Sequence, residues 1–150
     1  LNDKLNNFKF KVDEDRFIDS QDLKGQNLII YFYPKDDTPG CTLEAIEFSK
    51  LKNEFSELNT KIFGISKDSV EKHKKFINKH SLTIELISDD VSICEKFGVW
   101  VEKSMYGKKY MGIERSTFLF DENLILIKIW RNVKVKGHVE EVISFIKSLN

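Results

Sequence analysis

The sequence predicts an α/β fold, a central mixed β-sheet flanked by helices, and three observations point to it. Residues 28–33 (LIIYFY) form an unbroken apolar run of β-formers, as in a strand buried on both faces. Apolar residues then recur at Phe48, Leu51, Phe55 and Leu58, a 3-4-3 spacing that marks an amphipathic helix. Residues 61–66 (KIFGIS) read as the next strand. Strand, helix and strand in that order make a βαβ unit with parallel strands.

The other elements follow in chain order. Both prolines of the chain, Pro34 and Pro39, fall in the loop after the first strand, and Pro39 can open the helix at its first turn. Residues 69–79 read as a polar-faced helix, 85–88 as a short strand and 91–97 as a short helix ending at Gly98. Residues 117–120 and 124–130 are strand-like runs joined by a hairpin turn at Asp121-Glu122-Asn123. Val139, Val142, Ile143, Ile146 and Leu149 share one face of a terminal helix. This order matches a thioredoxin-like plan, expected as a single domain over residues 1–150.

Composition narrows the function. Lys plus Arg and Asp plus Glu number 24 each, so the formal charge is zero. A nucleic-acid binder draws its affinity from a basic excess, and none exists here. No basic amphipathic helix or long apolar stretch suggests a membrane. Two cysteines make no disulfide scaffold and suit a reducing compartment, and Leu1-Asn2-Asp3-Lys4 lacks the apolar core of a signal peptide. The expected setting is the cytoplasm.

Cys41 is the residue whose setting implies chemistry. It follows Pro39-Gly40 and precedes a helical pattern, which aims unpaired N–H groups and the positive end of the helix dipole at its sulfur. A thiol reacts as its thiolate, and helix N-termini with nearby cations favour that form. Gly40 allows a close backbone approach. Thr38 can offer its hydroxyl to a bound oxygen, a role favoured here over capping the helix, and Pro34 can shield the sulfur from water.

Pro34-Lys35-Asp36-Asp37-Thr38-Pro39-Gly40-Cys41 carries the pattern P-x-x-x-T-x-x-C. The longer string YFYPKDDTPGCTLEA, followed by LISD at 86–89, CEKFGVW at 94–100 and IERSTFL at 113–119, resembles the bacterioferritin-comigratory, or Q-type, peroxiredoxins. The resemblance runs from about residue 28 to the hairpin. It implies a thiol peroxidase in which Cys41 attacks hydrogen peroxide or an organic hydroperoxide and becomes a sulfenic acid. It also implies that Arg115 stabilises the thiolate and orients the peroxide, that Thr38 bonds a peroxide oxygen, and that Pro34 shapes the pocket. Glu44 matches a position that is often polar in the family, bonding to the active-site loop or standing as a solvated first-turn acid.

Many Q-type members carry a resolving cysteine five residues after the first, where this chain has Ile46, and others carry it in the next helix, where residues 69–79 have none. The resemblance therefore implies a one-cysteine cycle with an external donor: thioredoxin, glutaredoxin or glutathione. A Cys41–Cys94 disulfide is the alternative, with Cys94 otherwise a core residue. Monomers are the expected state, with dimers known elsewhere in the family. His73, His80 and His138 lack metal-ligand spacing and are expected at the surface or rim, so no metal or cofactor is expected. Other functions considered are a non-enzymatic binding module on the same scaffold, a Cys–His hydrolase, and a thiol–disulfide oxidoreductase. The last is disfavoured because Glu44 stands where C-x-x-C needs its second cysteine.

Overall fold

The computed structural model describes residues 2–149. Strands β1 (Lys9–Lys11) and β2 (Phe17–Asp19) come first, then β3 (Asn27–Phe32), helices α1 (Pro39–Lys50) and α2 (Lys52–Glu57), and β4 (Thr60–Ser66). Helix α3 (Val70–His80), β5 (Glu85–Ser88) and α4 (Ser92–Lys96) follow. The chain continues through β6 (Trp100–Met105), β7 (Lys108–Ile113), β8 (Ser116–Phe120) and β9 (Leu126–Trp130) to α5 (His138–Ser148).

Seven strands form one mixed sheet in the order β2-β1-β5-β4-β3-β8-β9. The β3, β4 and β5 strands run parallel, while β8 lies antiparallel to β3 and β9 to β8. This is the predicted thioredoxin-like α/β architecture. The predicted βαβ unit is β3-α1/α2-β4, whose helical run steps at Leu51 (φ −96°, ψ 7°) while the bonds Leu51 N–H to Glu47 O and Phe55 N–H to Leu51 O continue across it.

The pleat of β3 divides the core in two. Leu28, Ile30 and Phe32 face one side, with Phe63, Phe118, Val99 and Cys94. Ile29, Tyr31 and Tyr33 face the other, where Phe48, Phe76, Val142 and Cys41 pack under the long helices. Burying each such ring or branched side chain contributes about 1.5–3 kcal/mol.

Several sequence expectations need correcting. The last strand starts at Leu126, because Leu124 turns with φ +61°. Leu149 lies beyond α5 and is 53% exposed, so the buried face ends at Ile146. The β1–β2 and β6–β7 hairpins were not foreseen. The former has three-residue strands at the sheet edge. The latter is a separate two-stranded sheet whose residues are mostly solvent-facing, so it shows no apolar alternation to read. Its turn, Tyr106-Gly107, has both φ angles positive, as a type I′ hairpin demands.

Candidate active site

The site forms where β3 runs out. Tyr33 N–H still reaches Ile65 O of β4 at 3.1 Å, but Pro34 has no N–H and ends the ladder. Pro34 is half-buried at this strand end. A short loop follows in which Asp37 adopts φ +59°, and Thr38 takes the extended conformation that precedes a helix (φ −97°, ψ 156°). Its carbonyl accepts the Thr42 N–H at 2.8 Å. Its hydroxyl does not cap α1 but donates to Lys35 O at 2.8 Å.

Pro39, Gly40 and Cys41 are the first three residues of α1, so Cys41 lies inside the first turn rather than ahead of it. Its N–H is one of the donors that an α-helix leaves without an internal partner. Cys41 is 1% exposed, while Thr38, Gly40 and Thr42 above it are only half-buried. The sulfur therefore lies about one residue layer below the surface.

Arg115 lies between β7 and β8. Its Nη2 donates to Cys41 Sγ at 3.3 Å and its Nη1 to Glu44 Oε1 at 2.7 Å. Glu44 follows Cys41 by three positions, one turn along the same helix face. It is fully buried, which rules out the solvated first-turn acid of the two alternatives that the sequence left open. Burial pushes its pKa up to about 7, although Arg115 pulls it down. For Arg115 itself, burial works against the charge, but Glu44 and Cys41 outweigh it and the net shift is upward. A Cβ on Gly40 would stand 3.2 Å from Arg115 Nη2, a tight contact that would press on the guanidinium by a few tenths of an ångström.

Two of the three histidines differ from expectation. His80 is at the rim and pairs with Asp37 at 2.9 Å, as expected. His73 and His138 are buried. His73 Nδ1 lies 2.6 Å from Asp36 Oδ2, and His138 Nε2 lies 2.7 Å from Thr117 Oγ1. Burial and the charge of Arg115 push the pKa of His138 down to about 4. Both sit on the buried faces of their helices, and each gains a polar partner from another element, which intrahelical spacing cannot reveal. The Cys41 sulfur is bonded by a guanidinium rather than an imidazole, which removes the basis for a Cys–His hydrolase.

Cys94 in α4 is fully buried, and its N–H donates to Asp89 Oδ2 at 2.9 Å. Burial and the Asp89 carboxylate push its thiol pKa up. One neighbour of the site was missed altogether. Burial, then the charge of Arg115, lowers the pKa of Lys103 on β6, while Cys41 pulls it upward, which puts the β6–β7 hairpin within electrostatic reach of the site. Nothing in the local pattern around Lys103 marks it.

The family model described as AhpC/TSA matches residues 1–129. The chain belongs to the AhpC/TSA family of peroxiredoxins. Within it, the chain falls in the Bcp/PrxQ branch. It is 46% identical to peroxiredoxin Bcp of Bacillus subtilis over 151 aligned residues, covering 100% of this chain and 96% of that one. It is 47% identical to peroxiredoxin Bcp of Xanthomonas campestris over 125 residues, 83% of this chain and 78% of that one. Among solved structures, a cysteine-to-serine mutant of PrxQ from Xylella fastidiosa superposes with a TM-score of 0.93 at 40% identity, covering 98% of this chain and 94% of that one. This peroxiredoxin is a thiol peroxidase of the one-cysteine type, and both of its cysteines are free.

Proposed function

We propose that Cys41 is the peroxidatic thiol and that Arg115, Thr38 and Pro34 build its pocket, with Glu44 and Gly40 in support. The 3.3 Å contact of Arg115 Nη2 with Cys41 Sγ, made at the first turn of α1, carries this reading. The ionised sulfur attacks the terminal oxygen of a hydroperoxide. An S–O bond forms, the O–O bond breaks, and the departing oxygen takes a proton and leaves as water or an alcohol. Sulfur is oxidised to the sulfenic acid, and the peroxide is reduced by the same two electrons.

Each neighbour has a part in that step. Arg115 stays protonated at any working pH and offers fixed donors to the sulfur and to the oxygen on which charge develops. The Cys41 N–H adds a further donor. Thr38 spends its hydroxyl hydrogen on Lys35 O, which leaves its oxygen to accept the O–H of the peroxide. Glu44 fixes the other arm of the guanidinium, and Gly40 leaves room for it.

The substrates are hydrogen peroxide and organic hydroperoxides. In support, the bacterioferritin comigratory protein of Xanthomonas campestris, 41% identical with a TM-score of 0.88, has alkyl peroxide reduction activity. The sulfenic acid is returned to the thiol by thioredoxin, glutaredoxin or glutathione. The first thiol displaces water to give a mixed disulfide, and a second thiol releases Cys41. We further infer that residues 1–150 act as one domain, as a monomer in the cytoplasm. No helix among the described residues is long and apolar enough to cross a membrane, which is compatible with that setting.

Mass spectrometry of the reduced protein after one equivalent of peroxide tests the assignment. One oxygen should appear on the peptide that carries Cys41, and Cys41→Ser should abolish peroxide consumption while the circular dichroism spectrum stays the same. Full peroxide consumption by the serine variant would remove Cys41 from the reaction.

A further inference from the structure

Helix α3 grips the loop that presents Thr38 and the first turn of α1, and it does so with buried polar groups. Asp36 is the central member. Its Oδ1 accepts the Tyr33 hydroxyl at 2.6 Å and its Oδ2 meets His73 Nδ1 at 2.6 Å. Its backbone N–H donates to Asp68 Oδ2 at 2.8 Å, and Asp68 also accepts the Ser66 hydroxyl. His73 is tied a second time, with Nε2 3.0 Å from Ile87 O in β5. A carbonyl only accepts, so Nε2 carries a hydrogen, and Nδ1 shares a hydrogen bond with the Asp36 carboxyl. Both side chains are nearly sealed, at 4% and 6% exposure.

The loop needs such a hold. Asp37 sits in the left-handed region (φ +59°), which a residue with a side chain occupies at a cost. Its carboxylate is drawn to α3 as well, by Lys79 at 2.7 Å and His80 at 2.9 Å, but these pairs are solvent-exposed and weak. The buried Asp36–His73 bond is the one with the energy to fix the loop, since hydrogen bonds between charge-bearing groups away from water are the strong ones.

We propose that His73 is a positioning residue for the peroxidase reaction, holding the Asp36–Thr38 loop, and through it the peroxide site over Cys41, by its Nδ1 bond to Asp36. The proposal rests on Cys41 being the peroxidatic thiol. It separates two jobs of one imidazole. The Nδ1 bond serves the loop, and the Nε2 bond serves the packing of α3 on β5.

Two substitutions divide those jobs. In His73→Asn the side-chain amide stands where Nδ1 stands and keeps the bond to Asp36. In His73→Gln the amide reaches the Nε2 position and keeps only the bond to Ile87 O. The second-order rate of Cys41 with hydrogen peroxide is measured by stopped flow, beside its alkylation by iodoacetamide, which needs the sulfur but none of the peroxide-orienting donors. His73→Gln should lose about tenfold or more in the peroxide rate, the scale of a small misplacement of reacting groups, with little change in alkylation. His73→Asn should recover most of that loss. Tyr33→Phe, which removes one hydroxyl and keeps the ring, should show a smaller peroxide-specific loss and carries the test if the His73 variants fold poorly. A His73→Gln variant with the wild-type peroxide rate overturns the proposal, as do peroxide and alkylation rates that fall together in step with the melting temperature. A wild-type protein whose Cys41 ignores peroxide would instead defeat the underlying assignment of the nucleophile.

Discussion

At Glu44 two opposing forces act on one carboxyl group. Arg115 Nη1, 2.7 Å from Oε1, favours the ionised form, but complete burial disfavours it more, and Oε2 has no hydrogen-bond partner among the described residues. Burial prevails, and the pKa rises from 4.5 to about 7. Between those values the folded protein holds a proton that the unfolded chain has released, so stability from this group is complete below about 4.5 and is lost as pH climbs through about 7. The variant Glu44→Gln keeps the shape and cannot ionise. Its melting temperature relative to the wild type should therefore rise as pH increases across that window. A difference that stays flat with pH would mean that Glu44 ionises in the folded protein as easily as in the unfolded chain. Sequence placed Glu44 one turn after Cys41 but left its role open, because burial depends on Arg115, 71 residues away.

At the scale of elements, α1 shows how a short motif encodes a site. Pro39 starts the helix, Cys41 follows in its first turn, and Gly40 between them serves a contact that no local pattern reveals, the approach of Arg115. Gly40 lies in ordinary helical backbone, where alanine is the better helix former by about 1 kcal/mol. Gly40→Ala should thus leave the melting temperature unchanged or slightly higher while pressing its methyl group against the guanidinium. The expected result is a peroxide rate reduced by about tenfold or more, read by stopped flow, with stability preserved. Equal rates in the two proteins would show that Arg115 has room to retreat without cost. The strands β3, β4, β5, β8 and β9 were legible from their apolar runs and α5 from its apolar face, because these face a core. The three-residue strands β1 and β2 at the sheet edge were too short to read. The β6–β7 hairpin was not legible either, because its own small sheet lies largely in solvent, although Lys103 brings it to the site.

The whole molecule decides which recycling chemistry is open to it. The two cysteines were visible in the sequence, but their separation is a property of the sheet. Cys41 belongs to the core layer with Ile29, Tyr31 and Tyr33, and Cys94 to the layer with Leu28, Ile30 and Phe32. A disulfide needs Cα atoms within about 7 Å, and here a seven-stranded sheet stands between the two layers. Joining the thiols would mean unfolding the first turn of α1 and the short helix α4, which hold them in separate layers, so in the folded protein a sulfenic acid on Cys41 waits for a thiol from outside. Cys94→Ala should accordingly keep peroxide turnover with an external thiol near the wild-type rate, at a cost in stability of about 1–2 kcal/mol for the small void it leaves. Peroxide-treated wild-type protein should yield separate peptides for the two cysteines after digestion without reductant. A linked Cys41–Cys94 peptide, formed at the rate of turnover, would mean that the segments holding the two thiols unfold during each catalytic cycle.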